Sequence, residues 1–208
     1  PVRAYEAGFR AGIKKVNASE KKHVTYHAAT IGDFNDPSRG KSLAQGLIGR
    51  GCDIVLQLAG NSGLGVIEAV KETNGVYAIG ADMDQDDLAP GKVLTSILKR
   101  IDVAVFRAIK EAKNGSLKPG HRWLGIAEGA TGLTEMKYTK SQVSKRALEM
   151  VEVERELMRE ENARKSGRGA GGKGAGARKA EAEEAVTDDK LQVTRETCKL
   201  LCLLDFPK

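Results

Sequence analysis

Between residues 54 and 85 the hydrophobic period of the chain switches twice. The run IVLQL is nearly all apolar, the turn AGNSGLG follows, apolar residues then recur at helical spacing through VIEAVK, and a second apolar run, VYAIG, leads into ADMDQ. Strand, glycine turn, amphipathic helix and strand in that order are the sequence form of a βαβ unit, with strands over 54–58 and 76–80 and a helix over 64–71. Parallel strands joined this way open their loops at the strand C-termini, which is where open α/β sheets bind ligands. The turn at 60–65 and the loop at 81–85 are therefore expected side by side over one crevice.

The same reading extends in both directions. Tyr5, Phe9, Ile13 and Val16 recur at helical spacing and predict a surface helix over 5–17 with Phe9 and Ile13 inward. HVTYHAATI, residues 23–31, alternates β-branched and aromatic residues and predicts a strand. Asp36 or Ser38 is placed to cap a helix over 39–49, with Pro37 in its first turn. VLTSIL at 93–98 predicts another strand, and Ile101, Val105, Ala108, Ile109 and Ala112 form the stripe of a helix over 101–113 closed by Asn114 and Gly115. A further strand is expected at 121–126, ahead of EGATGL. The order is that of a doubly wound parallel sheet, α/β in class.

Beyond this lobe the composition changes. Val143, Ala147, Met150, Val151 and Leu157 lie near helical spacing among Glu, Lys and Arg and predict a long charged helix. SGRGAGGKGAGARK has too few apolar residues to offset chain entropy and reads as a basic linker. The last stretch ends in the apolar patch CKLLCLLDF, the kind of surface that docks or associates. The expected organisation is thus an α/β ligand-binding lobe over 1–136, a charged helix over 137–165, a Gly/Lys/Arg-rich linker over 166–179 and a tail helix over 180–208.

Composition narrows the partners. The 208 residues carry a net charge of +6, but much of the positive charge lies in the C-terminal region, so a nucleic-acid partner is not indicated. Aromatic content of 4% suits a core of Val, Ile, Leu and Ala in an α/β layer fold. The cysteines, Cys52, Cys198 and Cys202, form no CxxC pair and have no histidine at ligand spacing, so neither a metal site nor a disulfide framework is indicated. Cys198 and Cys202 share one helical face and read as small apolar residues. No apolar run approaches the ~20 residues of a membrane span, and no signal peptide or lipid-anchored cysteine is seen.

Candidate chemistry clusters at the strand ends. Gly60, Gly63 and Gly65 stand where the backbone turns from strand into helix, and Asn61 and Ser62 add side-chain donors beside the exposed amides. As GxxGxG this differs from the dinucleotide pattern, so a nicotinamide turn, a purely structural turn and a site for a polar ligand all stay open. Asp82 and Asp84 alternate after a strand. Either they accept sugar hydroxyls or they belong to a solvated acidic loop with Asp86 and Asp87; a calcium loop lacks its glycine and distal glutamate. Phe34, in the polar context GDFNDP, presents a flat face for a planar ring or packs a loop. Lys99 ends a strand and reaches the same edge, whereas Arg100 points away or begins the next helix. His23 and His27 have no partner at ligand spacing. No nucleophile with a base partner stands out, which argues against an enzyme.

Taken in order, YEAGFRAGIKKVN, GDFNDPSRGKSLAQGLIGRGCDIV, AGNSGLGVIEAVKE and IGADMDQDDLAPGKVLTSILKRIDVAVFRAIKEA resemble the basic membrane protein family of ABC-transporter substrate-binding lipoproteins, which includes purine nucleoside receptors. The resemblance covers about residues 1–140. It implies one lobe of a type I periplasmic binding fold, a nucleoside-type ligand, an ABC permease as partner, no cofactor, and an extracytoplasmic, membrane-anchored location. Carried over by position, it implies that Phe34 stacks on the base, Gly60 and Gly63 line the pocket through their backbone, Asp82 holds ribose hydroxyls and Lys99 completes the polar end. Asn61 stands where the family usually has glycine, which narrows the pocket or adds a donor. The family's first lobe has no counterpart, so only the second lobe is expected, with Trp123 and Leu124 exposed, refolded on the lobe, or paired with another chain. Two other classes stay open from the residues alone: an α/β enzyme using a nucleotide or phosphosugar, and an interaction module dominated by the basic tail.

Overall fold

A computed structural model of the chain describes residues 2–122 and 124–168. The expectations for Trp123, for the linker beyond residue 168 and for the tail with Cys198 and Cys202 lie outside these residues. The fold is α/β, with a four-stranded sheet in the order β1-β2-β3-β4 formed by β1 (Ile54–Leu56), β2 (Tyr77–Asp82), β3 (Val93–Lys99) and β4 (Thr131–Leu133). Among the described residues five α-helices accompany it: α1 (Val2–Glu20), α2 (Pro37–Ile48), α3 (Ser62–Lys71), α4 (Ile101–Lys113) and α5 (Lys145–Arg168). The described residues divide into two compact units, one made of residues up to Lys22, Arg100–Thr131 and Lys145–Arg168, the other of His23–Lys99 and Gly132–Ser144.

The second of these units holds the parallel strands. β1 pairs with β2 in parallel, Val55 opposite Ala78, and β2 pairs with β3 in parallel, Asp82 opposite Leu98. Their apolar runs are buried because helices cover them. Ala44, Val55, Val66, Ile67, Val70, Ala78 and Val93 form the core, with Ile31 and Ile48 packed against it. α2 starts as its sequence requires, with Asp36 as N-cap accepting from Arg39 N at 2.9 Å and Pro37 in the first turn. α2 and α3 approach closely through glycines. A Cβ on Gly65 would lie 1.8 Å from the Pro37 carbonyl oxygen, and one on Gly40 would lie 2.1 Å from that of Ser62.

In the other unit α1 buries Ala4, Tyr5, Gly8, Gly12 and Val16. This stripe is rotated from the expected one, and Phe9 and Ile13 are only half-buried at its edge, because small residues admit closer packing than large ones. α5 buries Ala147, Val151 and Met158. Lys15 pairs with Glu154, and Arg146 with Glu20 at 2.9 Å, linking α1 to α5. In α4 the apolar stripe forms as expected, yet none of its residues is buried and Ile101, Val105, Phe106 and Ile109 are exposed.

Several expectations are corrected. Residues 23–31 are assigned to no strand and are mostly exposed; alternation favours an extended chain, but a strand also needs a ladder partner. Residues 121, 122 and 124–126 form no strand either, and Leu124 is half-buried. The fourth strand is instead Thr131–Leu133, within the glycine-rich stretch EGATGL that follows the expected strand. The charged helix begins at Lys145 and runs through Arg168, taking in the first residues of the expected linker.

The glycine contacts yield a paired prediction. Gly65→Ala forces its Cβ into the backbone of α2 and should cost about 1–3 kcal/mol or more in urea unfolding. Gly46→Ala, on the same helix pair with no atom within 4 Å of the added Cβ, should stabilise by about 0.5–1 kcal/mol. Equal and small effects at both positions would contradict the close approach of α2 and α3.

Candidate functional site

Because β1, β2 and β3 run parallel, the segments that follow them emerge at one edge of the sheet. The segment after β1 is the turn into α3. Gly60 adopts φ +56 there, a left-handed conformation suited to glycine. Ser62, with no solvent exposure, ties this turn to residues 33–36. Its Oγ donates to Asp33 O at 2.8 Å and accepts from Asp36 N at 2.9 Å, and its backbone N–H donates to Phe34 O at 3.0 Å. A Cβ on Gly60 would meet Phe34 Cδ1 at 3.4 Å, so the ring lies against the turn while remaining 58% exposed.

After β2 comes the acidic loop. Asp82 ends the strand with φ +70, a conformation costly for a residue with a Cβ. Its carboxylate is exposed and takes no partner among the described residues. Behind the loop lie two buried glutamines. Gln57 Oε1 accepts from Ala59 N at 3.1 Å, Gln57 Nε2 donates to Gln85 Oε1 at 2.7 Å, and Gln85 Oε1 also accepts from Ala81 N at 3.0 Å. Gln85 N donates to Ser96 Oγ on β3 at 3.0 Å. The start of α3 rests on this pair, since a Cβ on Gly63 would fall 2.0 Å from Gln57 Oε1.

Asp86 is 2% exposed and accepts from Thr134 Oγ1 and from Lys137 N, each at 3.2 Å. Burial pushes its carboxyl above the usual range, the Lys137 N–H pulls it back, and neighbouring Asp84 adds to the rise. The next carboxylate behaves oppositely. Asp87 accepts from Tyr138 Oη and from Lys137 Nζ and is held below the ordinary value by those bonds. Burial raises the half-buried Cys52 thiol, and Asp53 adds to the rise.

The structure places Gly60, Asn61 and Gly63 on one turn with Phe34 packed against it from residues 33–36, and Asp82 on the loop after the neighbouring strand. Lys99 is exposed and lies one residue past the Asp82–Leu98 register pair, at the end of the third parallel strand. Asn61 is also on the surface, but its amide donates to Asn35 Oδ1 at 2.9 Å, so the donor expected for a ligand is engaged within the chain. Arg100 is the N-cap of α4 and clasps Asp102 through its guanidinium at 2.7 Å. Sequence reasoning missed the roles of Gln57, Gln85 and Ser96. Their signal was available: a polar residue inside an otherwise apolar strand, as Gln57 is in IVLQL and Ser96 in VLTSIL, is buried only with its hydrogen bonds made. Among the described residues no cluster of His, Cys, Asp and Glu suits a metal ion, and no helix is long and apolar enough to cross a membrane.

Comparison with known proteins adds a family to this geometry. Residues 1–160 match the family Bmp, described as ABC transporter substrate-binding protein PnrA-like. The chain is 39% identical over 140 residues to basic membrane protein D of Borreliella burgdorferi (strain JD1), covering 66% of this chain and 40% of that protein. It is 33% identical over 166 residues to the CD4+ T-cell-stimulating antigen of Listeria monocytogenes serovar 1/2a, covering 71% and 44%. Among solved structures it is similar to an ABC transporter solute-binding protein from Aeropyrum pernix K1, with a TM-score of 0.55 and 28% identity over 73% of this chain and 41% of that one. The matches thus span about 40% of the length of these relatives.

Asp86 gives a pH prediction. Its folded value lies above the unfolded one, so the native state binds the proton more readily, and the stability this gives is full below the unfolded value and lost as pH rises through the folded one. Asp86→Asn removes that loss. Urea midpoints compared between wild type and variant from about pH 4 to pH 7 should shift in favour of the variant as pH rises; a constant difference, or one of opposite slope, contradicts a carboxyl penalised by burial.

Proposed function

Since this chain belongs to the Bmp family of PnrA-like ABC transporter substrate-binding proteins, we propose that its strand-end edge is one wall of a solute site that serves an ABC importer. The solute is a purine nucleoside or a similar sugar-bearing small molecule. Phe34 stacks on the base, the turn at Gly60, Asn61 and Gly63 meets it through backbone groups, Asp82 accepts two ribose hydroxyls, and Lys99 closes the polar end. The chain binds and delivers rather than catalyses, its partner is the importer's permease, and it works outside the cytoplasm at a membrane anchor.

One observation carries this reading. An exposed aromatic ring packed on a glycine turn and an exposed carboxylate without a partner among the described residues both follow from the edge shared by three parallel strands. A ring and a carboxylate are the two groups a nucleoside needs, a flat face for the base and an acceptor for vicinal hydroxyls. Met83, 67% exposed, and Leu64, 45% exposed, add apolar surface near them. Binding proteins close two walls over their ligand. If this wall supplies about half of the contacts, an affinity of about −8 kcal/mol falls toward about −4 kcal/mol, the millimolar range.

The reading is tested by titrating the full 208-residue chain with inosine while following amide resonances. Shifts should appear at Gly60, Gly63 and Asp82, saturating in the range of about 0.1–10 mM. Asp82→Ala and Phe34→Ala should each weaken binding by about tenfold or more. Binding unchanged in both variants, or resonance shifts confined to other parts of the chain, would overturn the assignment.

A further inference from the structure

The two glutamines behind the edge connect the glycine turn to the acidic corner. A backbone N–H only donates, so the bond from Ala59 N fixes Gln57 Oε1 as an acceptor, and the bond from Ala81 N does the same for Gln85 Oε1. Both amide orientations are therefore set by the chain itself. Gln57 Nε2 is then the group left to face Gln85 Oε1, and it donates across 2.7 Å. Gln57 is 3% exposed and Gln85 6%, so this bond has little water to replace it and is expensive to break.

Each anchor point precedes a residue of the candidate site. Ala59 stands directly before Gly60, and Ala81 directly before Asp82, whose left-handed backbone at φ +70 needs support from its surroundings. Gly63 sits on the Gln57 amide with no room for a side chain, and Gln85 is pinned to β3 through Ser96 Oγ. Moving the turn relative to the corner must break the buried amide–amide bond or carry both loops together.

We propose that Gln57 and Gln85 are positioning residues that hold the Gly60–Gly63 turn and the Asp82 corner at one fixed spacing, so that the site admits a solute by the distance between its planar end and its hydroxyls. The inference rests on the reading that these loops hold a solute, but the coupling of the loops is testable without one.

The test uses Gln57→Glu in the full chain. At neutral pH the new carboxylate still accepts from Ala59 N but meets Gln85 Oε1 with no hydrogen between them. The amide resonances of Asp82 and Met83 should therefore shift in the ligand-free protein, and inosine binding should weaken by about tenfold relative to wild type at the same pH. Protonation at acid pH restores an O–H donor, and both readouts should return toward wild type. Asp82 and Met83 resonances that stay at wild-type positions in the folded variant would overturn the proposal, as would an equal loss of affinity at both pH values. A second measurement covers a variant that does not fold. In wild type, hydrogen exchange at Ala59 and Ala81 should report opening free energies that agree to within a factor of about three in rate, as for one cooperative unit; widely different protection overturns the coupling. Failure of wild type to bind inosine defeats the functional reading and leaves the resonance and exchange results to decide the coupling.

Discussion

Parallel pairing is the constraint from which the rest of this edge follows. When β1, β2 and β3 run the same way, their connections must return along the other face and every following loop opens on the same side. That edge cannot be built from apolar residues alone, because strand ends leave backbone donors and acceptors without a ladder. Here Ser62, Gln57, Gln85 and Ser96 satisfy several of them. The same bonds leave the tips of the loops, at Phe34 and Asp82, free to face solvent. Buried polar side chains thus separate a rigid base from an exposed rim.

Much of this was legible in the sequence, for physical reasons. The βαβ unit shows because its strands are covered on both faces and read as apolar runs, and its helix shows because its stripe has a period that strands lack. The cap at Asp36 and Pro37 was equally plain. Other features depend on which segments meet, which one chain position cannot report. Residues 23–31 carry the alternation of a strand without being assigned to one, and β4 forms in a stretch whose glycines suggest a turn. In α1 the small residues Gly8 and Gly12 face inward although Phe9 and Ile13 are more hydrophobic, since close approach favours size over apolarity. The candidate residues themselves were nameable, and Asn61 was read as a possible donor, but its engagement with Asn35 is a matter of three-dimensional neighbours.

The family assignment and the site argument rest on different residues. Membership follows from the match over residues 1–160; the site argument rests on a handful of side chains and their bonds. The chain spans about 40% of its relatives' length, and two apolar surfaces are exposed among the described residues. One is the rim with Phe34, Leu64 and Met83 exposed, the other the uncovered stripe of α4.

The claim that a planar, hydroxyl-bearing solute lies between the Phe34 ring and the Asp82 corner is tested most directly by isotope-filtered nuclear Overhauser spectroscopy on the full chain saturated with inosine. The account predicts contacts from the purine H8 to the Phe34 ring protons and from the ribose protons to Asp82 and Met83 in the same complex. Contacts to neither loop, or to residues outside the strand-end edge, would contradict it.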